Sequence, residues 1–357
     1  MAFVKMYKDK LKTNYEFLEQ MFKQENREWA IVTKLLCGSP VFLKEVLNLG
    51  IKEVCDARIS NLKTIKKLAP NVQTVYIKPP AKRSIKNVVK FADVSFNTEL
   101  ETIQWLNEEA QKQGKVHKVI IMIELGDLRE GVMGNELMDF YAEIFKLPNI
   151  EISGIGTNLN CLYGILPSED KLIQLCLYEQ LIEAKFNKPI KWVTGGTSVV
   201  IPLLIRKQVP AGINHFRVGE TLFFGNDLVF EQPLEGMEQN VFELFAEIIE
   251  ITEKPKVPTG NLSPNPSGEE FEINEDDYGK KSYRAIIDLG VLDVSNYKNL
   301  IPNDEHVSII GASSDMLVLD LGKSDWDYQV GDLVSFKVEY MEALRLFSSD
   351  YIEKVVE

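Results

Sequence analysis

Residues 29–49 read WAIVTKLLCGSPVFLKEVLNL, with an apolar run at 29–32, polar residues after it, and an amphipathic stretch at 40–49. The first run is too short for a helix and suits a buried strand, whereas the second repeats its apolar residues at helical spacing. The segment therefore predicts one strand–helix unit. Because parallel strands need such helical crossovers, repetition of this unit predicts a parallel sheet.

The same alternation of short apolar runs and amphipathic stretches continues to about residue 230. The further runs lie at residues 53–55, 72–77, 94–96, 119–123, 150–155, 190–193 and 213–218. Eight strands with helical crossovers predict an α/β fold, a closed (β/α)8 TIM barrel over residues 8–235. A doubly wound open sheet also fits the alternation.

The remainder of the chain has a different pattern. Strand candidates lie at residues 242–252, 283–289, 306–310, 316–321 and 333–340, with prolines and glycines between them. This pattern predicts a mainly antiparallel β domain over residues 236–357, which residues 1–7 could join. Residues 261–277 are polar and acidic and predict a loop.

The composition limits the possible classes of function. The 357 residues carry 40 Lys and Arg against 53 Asp and Glu, a net charge of −13, so we expect no nucleic-acid partner. No apolar run approaches the roughly 20 residues of a membrane helix, and the N-terminus resembles no signal peptide. Four scattered cysteines and three histidines offer little for disulfides, a metal site or a Ser-His-Asp triad. We expect a cytoplasmic protein without membrane contact.

Several polar residues follow predicted strands, where a barrel places its chemistry. Lys34 closes the first strand, and burial would make its amine a nucleophile, although a lysine that reaches solvent also fits. The loop Gly195-Gly196-Thr197-Ser198 and Gly219 follow strands seven and eight, where barrels bind phosphate, although a plain glycine turn also fits. Arg217 and Arg129 would pair with a carboxylate or face a cofactor. Together these features predict pyridoxal phosphate as cofactor.

These motifs resemble those of the alanine racemase-like, fold type III pyridoxal-phosphate enzymes, and within them the ornithine racemase group, or predicted amino-acid racemases. The resemblance runs in order along nearly the whole chain. Its motifs are Val32-Thr33-Lys34, Asp56-Ala57-Arg58, Leu125-Gly126-Asp127-Leu128-Arg129-Glu130-Gly131, Gly156-Thr157-Asn158-Leu159 with Cys161, Gly195-Gly196-Thr197-Ser198, Arg217-Val218-Gly219-Glu220 and Gly311-Ala312-Ser313-Ser314-Asp315.

The resemblance implies an amino-acid racemase that removes the α-proton of ornithine, another basic amino acid or alanine. It also implies a head-to-tail homodimer in which the partner's β domain completes each active site. Lys34 would bond to the cofactor and take the proton, Arg217 would face the pyridine nitrogen, and Arg129 would lie near the phenolic oxygen. Further cofactor contacts fall to Asn158, Thr197, Ser198, Gly219, Glu220 and Tyr351, and further catalytic roles to Asp315 and Cys161.

The chain departs from the family at the second acid/base that racemisation needs. Apolar residues stand where alanine racemases have a tyrosine, with Tyr283 nearby, and Met316 stands where the ornithine group usually has histidine. Thr197 replaces an asparagine of the wider family. A non-catalytic pyridoxal-phosphate homeostasis protein is the alternative, but those proteins lack a second domain. Related decarboxylases need a cysteine beyond Cys176, which this chain does not have.

Overall fold

The computed structural model describes residues 2–264, 270–323 and 327–357. It divides into two compact units. The barrel unit comprises Tyr7–Val241 with Val356, and the β unit comprises the N-terminal residues through Met6, Phe242–Val355 and Glu357. None of the helices in the described part of the chain has both the length and the apolar character needed to span a bilayer.

The barrel unit confirms the predicted (β/α)8 fold and excludes the open sheet. The chain begins with β1 (Phe3–Met6) of the β unit and α1 (Lys8–Gln24). The barrel strands are β2 (Glu28–Val32), β3 (Glu53–Asp56), β4 (Gln73–Tyr76), β5 (Val94–Asn97), β6 (His117–Met122), β7 (Ile150–Gly156), β8 (Trp192–Thr194) and β9 (His215–Val218). Each strand pairs with the next, and β2 also pairs in parallel with β9, which closes the barrel.

Helices connect the barrel strands as the amphipathic stretches predict. They are α2 (Pro40–Asn48), α3 (Ile59–Leu68), α4 (Ile85–Phe91), α5 (Leu100–Lys112), α6 (Leu137–Ile144), α7 (Glu169–Phe186), α8 (Ile201–Ile205) and α9 (Glu220–Phe224). A short hairpin of β10 (Asn226–Asp227) and β11 (Gln232–Pro233) ends the unit. In α5, for example, Ile103, Leu106 and Ala110 are buried at helical spacing, so one face packs on the sheet.

The β unit confirms the predicted antiparallel β domain. Its elements are β12 (Phe242–Pro255), β13 (Lys281–Ile287), β14 (Ile301–Pro302), β15 (Ser308–Ala312), β16 (Leu317–Gly322), β17 (Leu333–Lys337), α10 (Tyr340–Ser348) and β18 (Glu353–Val356). The sheet order is β14-β17-β12-β13-β16-β15, with every pair along it antiparallel, and β12 also pairs with β1. Along β12, Phe242, Leu244, Ala246 and Ile248 are buried, so alternate side chains form the core face.

The predicted loop at residues 261–277 is described only in part, because residues 265–269 lie outside the described residues. Its described residues contain a single helical turn, Glu275–Asp277, in which Asn274 Oδ1 accepts the N–H of Asp276. The sequence pattern does not predict β1, β18 or α10. The last predicted strand covers residues 333–340, whereas β17 ends at Lys337 and α10 begins at Tyr340.

The barrel interior contains a row of four buried polar side chains within an apolar core. This row, here called the polar file, consists of Glu53, Thr194, His215 and Arg217. The buried apolar cluster comprises Ala30, Val32, Cys55, Val75, Val94, Phe96, Ile120, Met122 and Trp192. Side chains alternate along a strand, so Glu53 shares a face with Cys55 on β3, and Thr194 shares one with Trp192 on β8. On β9 the shared face carries His215 and Arg217, and all four polar side chains are buried.

Two glycines on β7 make room for this polar file. A Cβ at Gly156 would lie 2.3 Å from Thr194 Cγ2, and one at Gly154 would lie 2.8 Å from the Trp192 carbonyl oxygen. Such separations force the neighbours to move, so β7 must carry glycine at these positions.

The Gly156→Ala variant is expected to lose about 1–3 kcal/mol of unfolding free energy, because the added methyl group displaces Thr194 in a packed interior. Denaturant unfolding measures the change. Gly311→Ala is the control, since a Cβ there meets nothing within 4 Å. Equal stability of Gly156→Ala and the wild type would contradict the close approach of β7 and β8.

His117 provides a test by pH. Its Nε2 lies 2.8 Å from Ser95 Oγ, and burial lowers the pKa of His117 from 6.5 to about 4, with Lys115 adding to the effect. The unfolded chain therefore binds this proton more tightly, so stability falls as pH drops from 6.5 through 4. His117→Gln is expected to flatten this part of the stability profile by up to about 1.4 kcal/mol per pH unit. Identical slopes in the two proteins would refute this.

Candidate active site

Lys34 and the loop after β9 meet at the carboxyl edge of the barrel. Lys34 follows β2, begins a single helical turn and exposes its side chain. Because Ile31 of β2 lies opposite Val218 of β9, the residues that follow these strands share one edge. Burial raises the pKa of Glu220, and the Lys34 ammonium opposes that rise, so the two charges interact.

Ser198 is the centre of a set of hydrogen-bond donors on the same edge. Its buried Oγ accepts the backbone N–H of Gly219 at 3.3 Å and of Thr221 at 3.2 Å. A Cβ at Gly219 would lie 2.9 Å from the Val32 carbonyl oxygen, and one at Gly195 would lie 2.4 Å from Ile213 Cγ2. Glycine at these positions lets each loop pack closely, the loop after β9 against Val32 of β2 and the loop after β8 against Ile213 before β9. Converging N–H and O–H groups of this kind bind phosphate and other anions.

Arg217 is a fully buried cation inside the barrel. Its guanidinium donates to Thr194 Oγ1 and, at 2.9 Å, to the Thr157 carbonyl oxygen, and it lies 5.0 Å from the Phe96 ring centroid. Burial lowers the pKa of Arg217, and nearby groups that include Glu130 oppose the change. A guanidinium stays charged in proteins, so Arg217 supplies a fixed positive charge below the edge that carries Lys34.

The Thr194 hydroxyl also contacts a buried histidine. His215 Nδ1 lies 3.0 Å from Thr194 Oγ1, and His215 Nε2 lies 3.1 Å from Glu53 Oε1. The Trp192 ring stacks on the imidazole with centroids 4.8 Å apart. Arg217 is therefore connected through Thr194 and His215 to a carboxylate near the opposite end of the barrel.

Arg129 lies after β6 and forms a two-bond ion pair with its neighbour Glu130. The Arg129 Nη2–Glu130 Oε1 distance is 2.7 Å, and Nε contacts the other carboxylate oxygen. Burial raises the pKa of Glu130, while Arg129 and then Arg217 lower it. The half-buried carboxylate thus interacts with both arginines that sequence analysis singled out.

The loop after β7 carries Asn158 and Cys161. Asn158 Nδ2 lies 2.9 Å from the exposed Cys161 sulfur, which accepts from it. The buried Asp127 carboxylate accepts the N–H groups of Cys161 and Leu162 at 3.1 Å and of Tyr163 at 3.2 Å. Asp127, from the loop after β6, therefore fixes the start of the loop after β7.

The structure gathers most of the predicted site residues in the barrel unit. Those at its carboxyl edge are Lys34, Arg129, Asn158, Cys161, Thr197, Ser198, Arg217, Gly219 and Glu220. Asp315 and Tyr351 belong to the β unit, and both are exposed. Asp315 lies in the turn between β15 and β16, where the Ser313 N–H donates to the Met316 carbonyl at 2.8 Å. Their catalytic and cofactor roles stay predictions.

The ion pair of Arg129 with Glu130 agrees with the expectation that Arg129 pairs with a carboxylate. The sequence pattern did not indicate the groups connected to Arg217, which are Thr157, Thr194, His215 and Glu53. Alternation along β9 could have indicated His215, because residues two apart on a strand share a face. Within the described ranges, no group of three or more His, Cys, Asp and Glu side chains is arranged to bind a metal.

Comparisons with known proteins give consistent matches. The family model "Alanine racemase, N-terminal domain" matches residues 7–227. The chain is 37% identical over 355 residues to the ornithine racemase of Acetoanaerobium sticklandii, covering 97% of each chain. It is 31% identical over 348 residues to the lysine racemase of Thermotoga maritima, covering 97% of this chain and 96% of that one.

A solved structure shows the same fold. It is an alanine racemase from Bartonella henselae with covalently bound pyridoxal phosphate. The TM-score is 0.75 with 17% sequence identity, and the match covers 100% of this chain and 99% of that one.

Replacing Asp127 by Ala is expected to release the loop after β7, because three N–H groups lose their acceptor. Hydrogen exchange at Cys161, Leu162 and Tyr163 should accelerate about tenfold or more. Asp127→Asn keeps one oxygen acceptor and should give a smaller increase. Unchanged exchange at these three amides in Asp127→Ala would show that the carboxylate does not hold the loop.

Proposed function

Because the chain belongs to the alanine racemase family, we propose that it is a pyridoxal-phosphate-dependent amino-acid racemase acting on basic amino acids. The matches to an ornithine racemase and a lysine racemase extend along nearly the whole chain and so support both parts of the proposal. They also favour an enzyme over a homeostasis protein with a single barrel. The observation that carries the proposal is the placement of Lys34, the Ser198 donor set and buried Arg217 at one edge of one barrel.

The residues at this edge fit the cofactor. The phosphate needs several hydrogen-bond donors, and the Gly219 and Thr221 N–H groups converge with the Ser198 hydroxyl. A Cβ at Gly219 would meet Val32, so this backbone position needs glycine to lie against β2. The aldehyde needs an amine, which Lys34 supplies on the neighbouring strand. Thr197 and Asn158 complete the proposed cofactor contacts by their position on the adjoining loops.

When bound, pyridoxal phosphate supplies an electrophilic carbon for amines and a ring that withdraws electrons from the α-carbon of an amino acid. Lys34 Nζ would hold the cofactor and, when free, would take the α-proton or return it. Glu220 would offer its backbone N–H to the phosphate, and its carboxylate provides a counter-charge for Lys34.

Arg217 would determine how strongly the cofactor ring withdraws electrons. A fixed guanidinium beside a basic ring nitrogen disfavours protonation of that nitrogen, because like charges repel. By keeping that nitrogen unprotonated, Arg217 would weaken the electron withdrawal and favour rapid return of the proton to the α-carbon, and so racemisation over transamination. The acceptors Thr194 and Thr157 hold the guanidinium in place. Arg129, paired with Glu130, is proposed to lie near the phenolic oxygen.

A racemase also needs a proton donor on the opposite side of the α-carbon. Cys161 and Asp315 are the proposed candidates in this chain. Cys161 lies on the loop after β7, its sulfur accepts from Asn158, and it is among the groups that oppose the lowering of the Arg217 pKa. Asp315 follows the motif Gly-Ala-Ser-Ser of the β unit, and Tyr351 is proposed to reach the cofactor from the same unit.

The proposal includes a head-to-tail homodimer in the cytoplasm. The family resemblance supports the dimer, in which exposed residues of one β unit, such as Asp315 and Tyr351, would serve the partner's site. The four thiols are all free, as is usual in a reducing compartment.

The function is tested with purified protein, pyridoxal phosphate and L-ornithine, L-lysine or L-alanine, followed by chiral chromatography. The wild type is expected to form the D-isomers of ornithine and lysine faster than D-alanine. Lys34→Ala should lower the rate by about 10²–10⁴-fold, the usual contribution of a general base, and should abolish the visible absorbance of the bound cofactor.

Lys78→Ala is the control, because Lys78 is exposed and also follows a barrel strand. It should keep the cofactor absorbance. Cofactor binding without D-isomers from any amino acid would refute the racemase proposal. Faster turnover of alanine than of ornithine and lysine would refute only the preference for basic substrates and would leave the racemase proposal standing.

A further inference from the structure

The polar file inside the barrel is costly, and the proposed catalytic steps do not use most of it. Barrel interiors are filled mainly by branched apolar side chains, and buried polar groups cost free energy unless hydrogen-bonded. Here Thr194, His215 and Glu53 are all buried and bonded in series, beginning at Arg217. Gln73 Nε2 donates to the second Glu53 oxygen at 2.7 Å and ends the series.

The groups at the two ends set the direction of the series when His215 is neutral. A guanidinium only donates, so Thr194 Oγ1 accepts from Arg217. A carboxylate only accepts, so His215 Nε2 carries the ring proton and donates to Glu53 Oε1. Nδ1 of the neutral ring is then an acceptor, and the Thr194 hydroxyl donates to it. All donors point the same way, from the cation to the carboxylate, and such aligned bonds strengthen one another.

We propose that Thr194, His215 and Glu53 are positioning residues that hold Arg217 for the cofactor ring, with His215 fixed as the neutral Nε2–H tautomer. The inference rests on the proposed function, since Arg217 serves the ring only if pyridoxal phosphate binds. Trp192 stacks on the imidazole and keeps it in the plane that both bonds need. Nδ1 of a neutral ring accepts the Thr194 hydroxyl hydrogen. An imidazolium carries hydrogens on both ring nitrogens, so its Nδ1 could not accept that hydrogen.

Nitrogen-15 NMR of histidine-labelled protein without cofactor tests the tautomer directly. The chain has three histidines, and the spectrum of His215→Gln identifies the signals of His215. We expect an unprotonated Nδ1 and a protonated Nε2 for His215. The Nδ1–H tautomer or an imidazolium at neutral pH would overturn the proposal, whether or not the protein is an enzyme.

A pair of Thr194 variants tests the positioning role. Thr194→Val keeps the shape of the side chain but removes the hydroxyl, whereas Thr194→Ser keeps the hydroxyl. Thr194→Val should weaken pyridoxal-phosphate binding about tenfold, the effect of losing one hydrogen bond to a charged group, and raise the ratio of transamination to racemisation. Thr194→Ser should behave as the wild type in both measurements.

Two histidine variants form a matched pair. His215 and His117 each begin a barrel strand, are buried and contact a hydroxyl, but only His215 is connected to Arg217. His215→Gln should therefore change cofactor affinity and product ratio, and His117→Gln should change neither. Wild-type affinity and product ratio in both Thr194→Val and His215→Gln would overturn the proposal. A wild-type protein that binds no pyridoxal phosphate would instead contradict the proposed function, and with it any role for the series in holding Arg217 for the cofactor.

Discussion

The burial of the Arg217 guanidinium is the constraint on which the carboxyl edge of the barrel depends. A cation in an apolar interior needs acceptors on every side, and removing one partner of such a group is strongly destabilising. The Thr194 hydroxyl, the Thr157 carbonyl and the Phe96 ring face meet this need. Glycine at position 156 follows from the same constraint, because Thr194 occupies the space that a Cβ would take.

Closure of the barrel brings together the two ends of its sequence. The pairing of β2 with β9 places Lys34, from the first strand, beside the loop that follows the last. The Ser198 hydroxyl joins the loop after β8 to that loop through the Gly219 and Thr221 N–H groups. An amine, a cluster of N–H and O–H groups and a fixed cation thus come from three neighbouring strands, and no local segment of the chain contains all three.

The fold and the exposed half of the site could be predicted from the sequence, since both have local signals. Short apolar runs with helical stretches between them gave all eight barrel strands, and glycines with hydroxyl residues indicated the Ser198 loop. The adjacent positions of Arg129 and Glu130 in the sequence also indicated their ion pair. The series from Arg217 to Glu53 was not predicted, because its members are up to 164 residues apart, from position 53 to position 217, and meet only when the barrel closes. The helix α10 was missed because a predicted strand was extended through Tyr340.

The proposed function depends on Lys34 holding the cofactor at the edge where Ser198 and Arg217 lie. Reduction with borohydride converts a lysine–pyridoxal linkage into a stable amine, and peptide mass spectrometry then locates it. We expect a single labelled peptide, with the pyridoxyl group on Lys34. A label on any other lysine, or no label in protein saturated with pyridoxal phosphate, would show that Lys34 does not hold the cofactor.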